Sequence, residues 1–411
     1  MRPVISRISW SVAGQAMSSL TNFAVAYIVA RELGLAELGA FVLVFALHAL
    51  LIETSRATSA EVLAMEVASE PTTDDIDGAI STVCVIGILG GLSFIIAGAF
   101  TTSVTSEALT AIGLFTTFAA IQDGTRNTLI AIGKAKQAAI SDFVWVLTQV
   151  TTFTIVLSWS TVTVSSAIAA WGTAAAVAAF AGVRLANARL SALASLQWIG
   201  SRRAVIRPLL LEAVGRAGFL QLATIVIVSI LTIDELGRLR ASEMLFGPIA
   251  ALIIVIPHIA VPEATRARSD GALRTVALAS SFVPAAAAIL LLVSIGLTPD
   301  SFGEVLLADN WEPARALALP AAALTFGSAA LVGAFVGLRG RGRVRETLQL
   351  RILGGVLVLT LGSCGALIDG ITLAAWGIAL ARMLIAGAAW VCLARMSDQD
   401  KITLPPAEAI R

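Results

Sequence analysis

Charge is what this sequence has least of. Only 13% of its 411 residues are Asp, Glu, Lys or Arg, about half the ~25% usual in soluble domains. A nucleic-acid binder needs a basic surface, and a disordered linker needs polarity and charge, so both are excluded. Cysteine is equally scarce. Cys84, Cys364 and Cys392 lie far apart in apolar runs and form no CxxC. That excludes a disulfide scaffold, a redox pair and a thiolate metal site. His48 and His258 are the only histidines, too few for a histidine-built metal centre or a nucleophile–histidine–acid set. Lysine is nearly missing as well, with 3 against 25 arginines, a usage that points to a GC-rich bacterial genome.

What the chain has is apolar length. Hydrophobic residues make up 57% of it. Runs able to cross a bilayer fall near 11–31, 39–63, 78–100, 107–127, 139–159, 165–187, 208–233, 242–262, 273–297, 314–337, 350–368 and 372–394. Lipid offers no hydrogen bonds to the backbone, so each run is expected to be helical. The fold class is therefore all-α, a polytopic membrane protein of about twelve transmembrane helices. Such spans use about 240 positions and leave no room for an extramembrane catalytic domain. The basic start (Arg2, Arg7) followed by an apolar stretch resembles a signal peptide, but Gln15, Ser18, Ser19 and Asn22 make it a first membrane helix.

Arginine position sets the orientation. With both termini inside, 22 of the 28 Lys and Arg fall in inner segments and 4 (Arg31, Arg238, Arg240, Arg315) in outer ones, while Arg216 and Arg382 lie within spans. This is the positive-inside pattern. The acidic loop 66–77 also falls inside, where acidic residues count for little.

The chain reads as two parallel six-helix lobes, 1–187 and 208–395, joined by a cytoplasmic amphipathic linker, 188–207, and ending in a tail, 396–411. Two short matches support the duplication. Arg31-Glu32-Leu33-Gly34 pairs with Asp234-Glu235-Leu236-Gly237 at an offset of 203, and Gly133-Lys134-Ala135-Lys136 with Gly340-Arg341-Gly342-Arg343 at 207. An even number of spans per repeat gives both lobes one orientation. In the linker, Leu190, Leu193, Leu196 and Trp198 followed by Arg202 and Arg203 predict a helix lying on the inner membrane surface.

The stretch Ala30-Arg31-Glu32-Leu33-Gly34-Leu35-Ala36-Glu37-Leu38-Gly39-Ala40-Phe41 resembles the helix 1–helix 2 junction of polysaccharide-unit (Wzx-type) flippases. These belong to the multidrug/oligosaccharidyl-lipid/polysaccharide exporter superfamily, where the pattern runs roughly aRxLGpxxfGxf. Similar stretches are Leu236 to Pro248 with its Leu-Phe-Gly-Pro, Val261-Pro262-Glu263-Ala264, and Leu306 to Ala314 around Trp311. The resemblance implies twelve helices in two parallel lobes around a central cavity, and alternating-access flipping of a lipid-linked saccharide. Leu35 replaces the usual proline, and helix 1 has no acidic residue in its membrane part. That departs from exporters that protonate, or bind sodium at, a first-lobe aspartate.

Charged residues within spans are the candidate substrate-binding set. A charge at the bilayer centre costs about 2.5–3.5 kcal/mol on insertion scales. Arg382 lies near the midplane with no acid within two turns, so it is read as a cavity cation for a phosphate or pyrophosphate; a contact to backbone carbonyls is the alternative. Glu53 and Arg56, Asp123 and Arg126 (both i, i+3), and Glu212 and Arg216 (i, i+4) surround the inner mouth. They read as ion-paired anchors or as a charged lining, with Arg56 suited to phosphate. Arg31 matches the family arginine or simply snorkels. Asn22 and Gln149 are set to hydrogen-bond sugar hydroxyls or neighbouring helices. His48 reads as a satisfied interior group. Pro248, Pro257 and Pro262 predict a kinked helix 8.

No Walker loop is present, since Gly133-Lys134 and 337–343 lack GxxxxGK[ST]. No cofactor and no enzymatic activity are expected. The outer loop 298–313, with Asp300, Glu304, Asp309 and Glu312, reads as a solvated rim and is too small for a polymerase or ligase. The expected function is flipping of a polyprenyl-pyrophosphate-linked saccharide across a bacterial cell membrane, with cytoplasmic termini. The expected partners are that substrate, bilayer lipids and other polysaccharide-assembly membrane proteins. The alternative is a drug or small-molecule exporter of this or the major-facilitator architecture, although the latter's basic loop after helix 2 is missing. A transport-dead scaffold of the same fold is the third reading.

Overall fold

The computed structural model describes residues 25–66, 71–159, 161–213, 218–267 and 269–395, and these form helices and no strands. Helix α1 covers 25–32 and the remainder of the first expected span lies outside the described residues. There follow α2 (Leu35–Thr58), α3 (Ala60–Glu66), α4 (Thr73–Ala99), α5 (Ser103–Ala131), α6 (Ala135–Trp159) and α7 (Val164–Ala186). Helix α8 (Ala192–Ala213) leads into α9 (Phe219–Ile230), α10 (Ile233–Leu245), α11 (Gly247–Arg266) and α12 (Asp270–Leu297). Short α13 (Asp300–Leu307), a 3-10 turn (Ala308–Asn310) and α14 (Trp311–Ala316) precede α15 (Ala318–Gly340) and α16 (Val344–Ala394).

Nine of the described helices are long and apolar enough to cross a membrane. One of them, α16, has 51 residues and breaks at Asp369 and Gly370, where Gly370 has φ +66°. Its limbs fold back on each other. A Cβ on Gly365 would lie 2.4 Å from the Leu373 carbonyl, and one on Gly377 would lie 2.3 Å from the Leu361 carbonyl. These two limbs correspond to the expected spans 350–368 and 372–394. The shorter apolar α9 occupies the seventh expected span. The chain is an all-α multi-pass membrane protein.

Helix starts follow the sequence. Thr72, Thr163 and Thr232 each cap a helix, with Asp75, Ser166 and Glu235 returning the bond, and so satisfy amides that lipid would leave bare. The eighth expected span begins nine residues earlier than hydropathy indicated, because Thr232 and Glu235 close a capping box and start α10 there. Arg240, expected in an outer loop, is therefore inside a helix. Helix α8 replaces the expected 188–207 linker helix and runs on to Ala213 through Pro208, with a kink at Arg202.

The repeat has a different register from the one read in sequence. Gly34 and Thr232 are equivalent N-caps, with Glu37 and Glu235 at N3, so Glu37-Leu38-Gly39 matches Glu235-Leu236-Gly237 at an offset of 198. The second match shifts likewise. Gly133 (φ +78°) and Gly342 (φ +72°) end α5 and α15, an offset of 209. Lys134 N–H donates to Leu129 and Arg343 N–H to Leu338, identical six-residue closures.

The halves meet where α2 packs on α10. A Cβ on Gly39 would lie 1.9 Å from the Ile233 carbonyl oxygen, and one on Gly237 would lie 2.0 Å from that of Leu35. Both contacts obey the 198 offset, so the closure is a reciprocal backbone-to-backbone seam. Small residues permit such approaches, and membrane helices associate largely through them. The loop expected as a solvated rim seals the seam. Asn310 is buried and its amide donates to the carbonyls of Ala30 and Leu33, both at 2.7 Å. Trp311 is buried beside it, donating to Asp300. Leu307, Trp311 and Ala314 join Val29, Leu33 and Phe41 in one apolar cluster.

Candidate functional site

Three cavities run inward from that seal. The central one, about 540 Å³, lies between the halves. Val25, Ala26, Phe41, Val42, Phe45 and Ala46 give it an apolar wall from α1 and α2. The facing wall carries Gln221, Thr224, Arg240, Glu243 and Arg382. Arg240 pairs with Glu243 at 3.0 Å across one helical turn. Arg382 makes no ion pair among the described residues, and its buried Nε has no hydrogen-bond partner. Gly327 packs on the Arg382 backbone and Cβ, where its own Cβ would sit 3.1 Å away. The guanidinium thus projects from a tightly packed stem into the space between the halves. Glu243 on the same wall lies within electrostatic reach of it but makes no contact with it. An anion reaching the cavity meets a donor with no contacting carboxylate in a low-dielectric setting, where such bonds are strongest.

A second cavity of about 240 Å³ lies within the first half and shares Trp171 with the central one. Its polar walls come from α2, α5 and α6. Arg56 donates Nε and Nη2 to the two Asp123 oxygens at 2.8 and 2.6 Å, and Nη1 to Glu53 at 3.0 Å. Asn127 braces Asp123 at 3.0 Å. Arg126 places Nε 3.0 Å from both oxygens of Asp142. Asp123 and Arg126, expected as an i, i+3 pair, thus each have a cross-helix partner, Arg56 and Asp142. The Glu53–Arg56 pair is present as expected. Buried charges need such full pairing, because a lone partner is strongly penalised.

The third cavity, about 600 Å³, forms the inner mouth. Glu53, Arg56, Glu61 and Asn127 line it from the first half, and Gln221 and Arg351 from the second. Gln221 also lines the central cavity and Arg56 the side cavity.

The candidate residues divide by location. Glu53, Arg56 and Arg126 come together at the mouth and side cavity, and Arg382 stands in the central one. Arg31 lies at the sealed end, exposed, 3.6 Å from Glu32. Gln149 is buried and accepts the Trp145 indole N–H at 2.6 Å; it lines none of the three cavities. His48 is buried, with its ring 3.5 Å from the Thr116 hydroxyl. Asn22 and Arg216 lie outside the described residues. Sequence reasoning passed over Arg240, Glu243, Asp142, Arg351 and Asn310. The capping box at Thr232 is the signal that places Arg240 in a helix with Glu243, which already lay in the expected span 242–262. Nothing local marks Asp142, whose partner is 16 residues away.

No family model and no curated protein matches this sequence. Solved structures do match it. The chain is similar to the lipid II flippase MurJ in an inward closed conformation, with TM-score 0.70 and 10% identity over 96% of this chain and 89% of that one. It is similar to an inward-facing multidrug resistance MATE family transporter of the MOP superfamily, with TM-score 0.65 and 14% identity over 92% and 93%. It is also similar to the MATE multidrug transporter DinF-BH, with TM-score 0.65 and 17% identity over 98% and 97%. The chain has the fold of the MOP-superfamily transporters. The likeness spans nearly the whole chain, so all three cavities lie inside the shared architecture.

Proposed function

We propose that this protein is a transporter of the bacterial cell membrane that moves a polyprenyl-pyrophosphate-linked saccharide from the cytoplasmic to the outer leaflet by alternating access. The observation that carries this reading is Arg382, a guanidinium with no contacting carboxylate among the described residues, facing a cavity between two halves sealed at one end. A charge kept at that depth against its insertion cost needs a ligand to compensate it. Phosphate chemistry suits a planar multi-donor group. Arg56, held by Asp123 and Glu53, lines the mouth, Gln221 marks the passage inward, and Arg382 holds the diphosphate while the lipid tail stays in the bilayer. The termini and the arginine-rich loops then face the cytoplasm.

The experiment is deletion of the gene in its host with mass spectrometry of the polyprenyl-linked saccharides and assay of the surface glycan. Accumulation of a completed lipid-linked unit with loss of its polymer supports flipping and names the saccharide. One feature favours a second reading, export of an amphiphilic drug. The central cavity is walled on one side by Phe41, Phe45 and Trp171, which suits a flat apolar molecule. An unchanged lipid pool with new sensitivity to aromatic drugs selects that reading.

A further inference from the structure

The side cavity has a chemistry distinct from the central one. Its two guanidiniums, Arg56 and Arg126, are matched by two carboxylates, Asp123 and Asp142, each pair in direct contact. The walls are rich in hydrogen-bonding groups but offer no net charge. A cation finds both carboxylates already engaged, and a phosphate finds both guanidiniums engaged. The remaining lining is His48, Ile52, Ala119, Gln122, Trp145 and Trp171. Trp145 and Trp171 meet edge to face, with centroids 5.7 Å apart and planes at 74°, forming a corner of two indole rings. The Trp145 bond to Gln149 fixes one ring, and the His48 ring against Trp171 at 5.4 Å fixes the other. Gln122 and Asp142, both buried, face the same space.

An aromatic corner beside rigid, charge-balanced polar groups suits one kind of ligand. That ligand is neutral, has an apolar C–H face to lie on an indole, and carries a ring of hydroxyls for amide and carboxylate oxygens. The volume of about 240 Å³ admits one ring and not a chain, being below the range of drug-sized sites. We infer that the side cavity binds a single neutral sugar residue, with Trp145 as its stacking platform and Gln122, itself bonded to Asp142, as its hydroxyl partner. Trp171 is shared with the central cavity, so the sugar sits next to a diphosphate held at Arg382. The inference takes from the proposed function only the nature of the molecule that carries the sugar.

The test uses the full-length protein in lipid nanodiscs, titrated with methyl glycosides of neutral hexoses and 6-deoxyhexoses. Inorganic phosphate and tetramethylammonium serve as the charged probes. The readout is tryptophan emission of the wild type minus that of Trp145→Phe, which isolates the platform residue. A neutral glycoside is expected to shift this difference saturably at millimolar concentration, and the charged probes are not. Gln122→Ala, read against the same variant carrying Trp145→Phe, is expected to weaken the response about tenfold or more, with the melting temperature showing that it is folded. If Gln122→Ala does not fold, Gln122→Ser carries the comparison. No glycoside response at Trp145, or an equal response to phosphate or tetramethylammonium, overturns the inference. Glycoside binding in a protein whose deletion leaves the lipid-linked pool unchanged supports the pocket and removes the flippase reading. Accumulation of the lipid-linked unit without glycoside binding removes the pocket alone.

Discussion

Arg382 and Arg126 are both arginines inside membrane helices, and the structure treats them oppositely. Arg126 is held by both oxygens of Asp142, with side chains 13% and 5% exposed. Removing either partner strands a buried charge, so Asp142→Ala is expected to lower stability by about 3–5 kcal/mol, and the double change Arg126→Met with Asp142→Leu to restore most of it. Unfolding of the single and double variants in one detergent checks this. Equal losses in both would show that the pair does not act as a unit. Arg382 has no such partner, so Arg382→Met is expected to leave the melting temperature unchanged or raised while transport falls about tenfold or more. A variant that unfolds instead would make Arg382 a structural residue. Sequence reading singled out Arg382 because isolation within a helix is visible one chain segment at a time. It did not reach the Arg56–Asp123 and Arg126–Asp142 pairs, because a partner on another helix leaves no trace in spacing.

The outer closure works at the scale of elements. The duplicated Glu-Leu-Gly is visible in sequence, but its partner was read one helix too early, since Arg31-Glu32-Leu33-Gly34 also carries Glu-Leu-Gly. Capping decides the register: Gly34 N–H donates to Glu37 at 3.1 Å and Thr232 N–H to Glu235 at 3.0 Å. Glycine is needed at both seam positions because any Cβ meets a carbonyl oxygen. The Asn310 latch then covers the last carbonyls of α1, groups that a helix end cannot satisfy itself. Its strap bends at Ala308, a non-glycine residue at φ +49°, a conformation that costs about 1–3 kcal/mol and persists where contacts enforce it. Asn310→Ala leaves both carbonyls without their donor, at a cost of about 1–3 kcal/mol for each buried group. Since about 1.4 kcal/mol shifts an equilibrium tenfold, the variant is expected to populate an outward-open form. Gly39→Val is expected to do the same by wedging the seam. Spin labels at the exposed Glu32 and Arg238 would report a longer distance in both variants, and an unchanged distance would mean that the seam holds without the latch or its glycine.

For the whole molecule, the polytopic all-α class was legible because bilayer thickness sets helix length. Even the α16 turn falls in the short gap between its two expected runs. The start of α10 was not legible from hydropathy, because Asp234, Glu235, Arg238 and Arg240 look like a wet loop. Only the tertiary arrangement shows that part of that helix faces a cavity. The same blindness hid the three linked cavities, which exist only where separate helices face each other. Their connection has a mechanical consequence. With the outer seam shut, the mouth between α3 and the first limb of α16 stands open over about 600 Å³. If the halves rock as rigid bodies, opening the seam must close that mouth. Labels at Ala64 on α3 and Gln349 on α16, both exposed, are therefore expected to approach in the same Asn310→Ala and Gly39→Val proteins in which the outer pair separates. The two distance changes should have opposite sign and appear in the same fraction of molecules, because one rotation produces both. An outer pair that separates while the inner pair stays fixed would instead make α13 and α14 a local lid. The substrate would then need two independent gates, and the Glu53, Glu61 and Arg351 side chains at the mouth would have to close by a motion of their own.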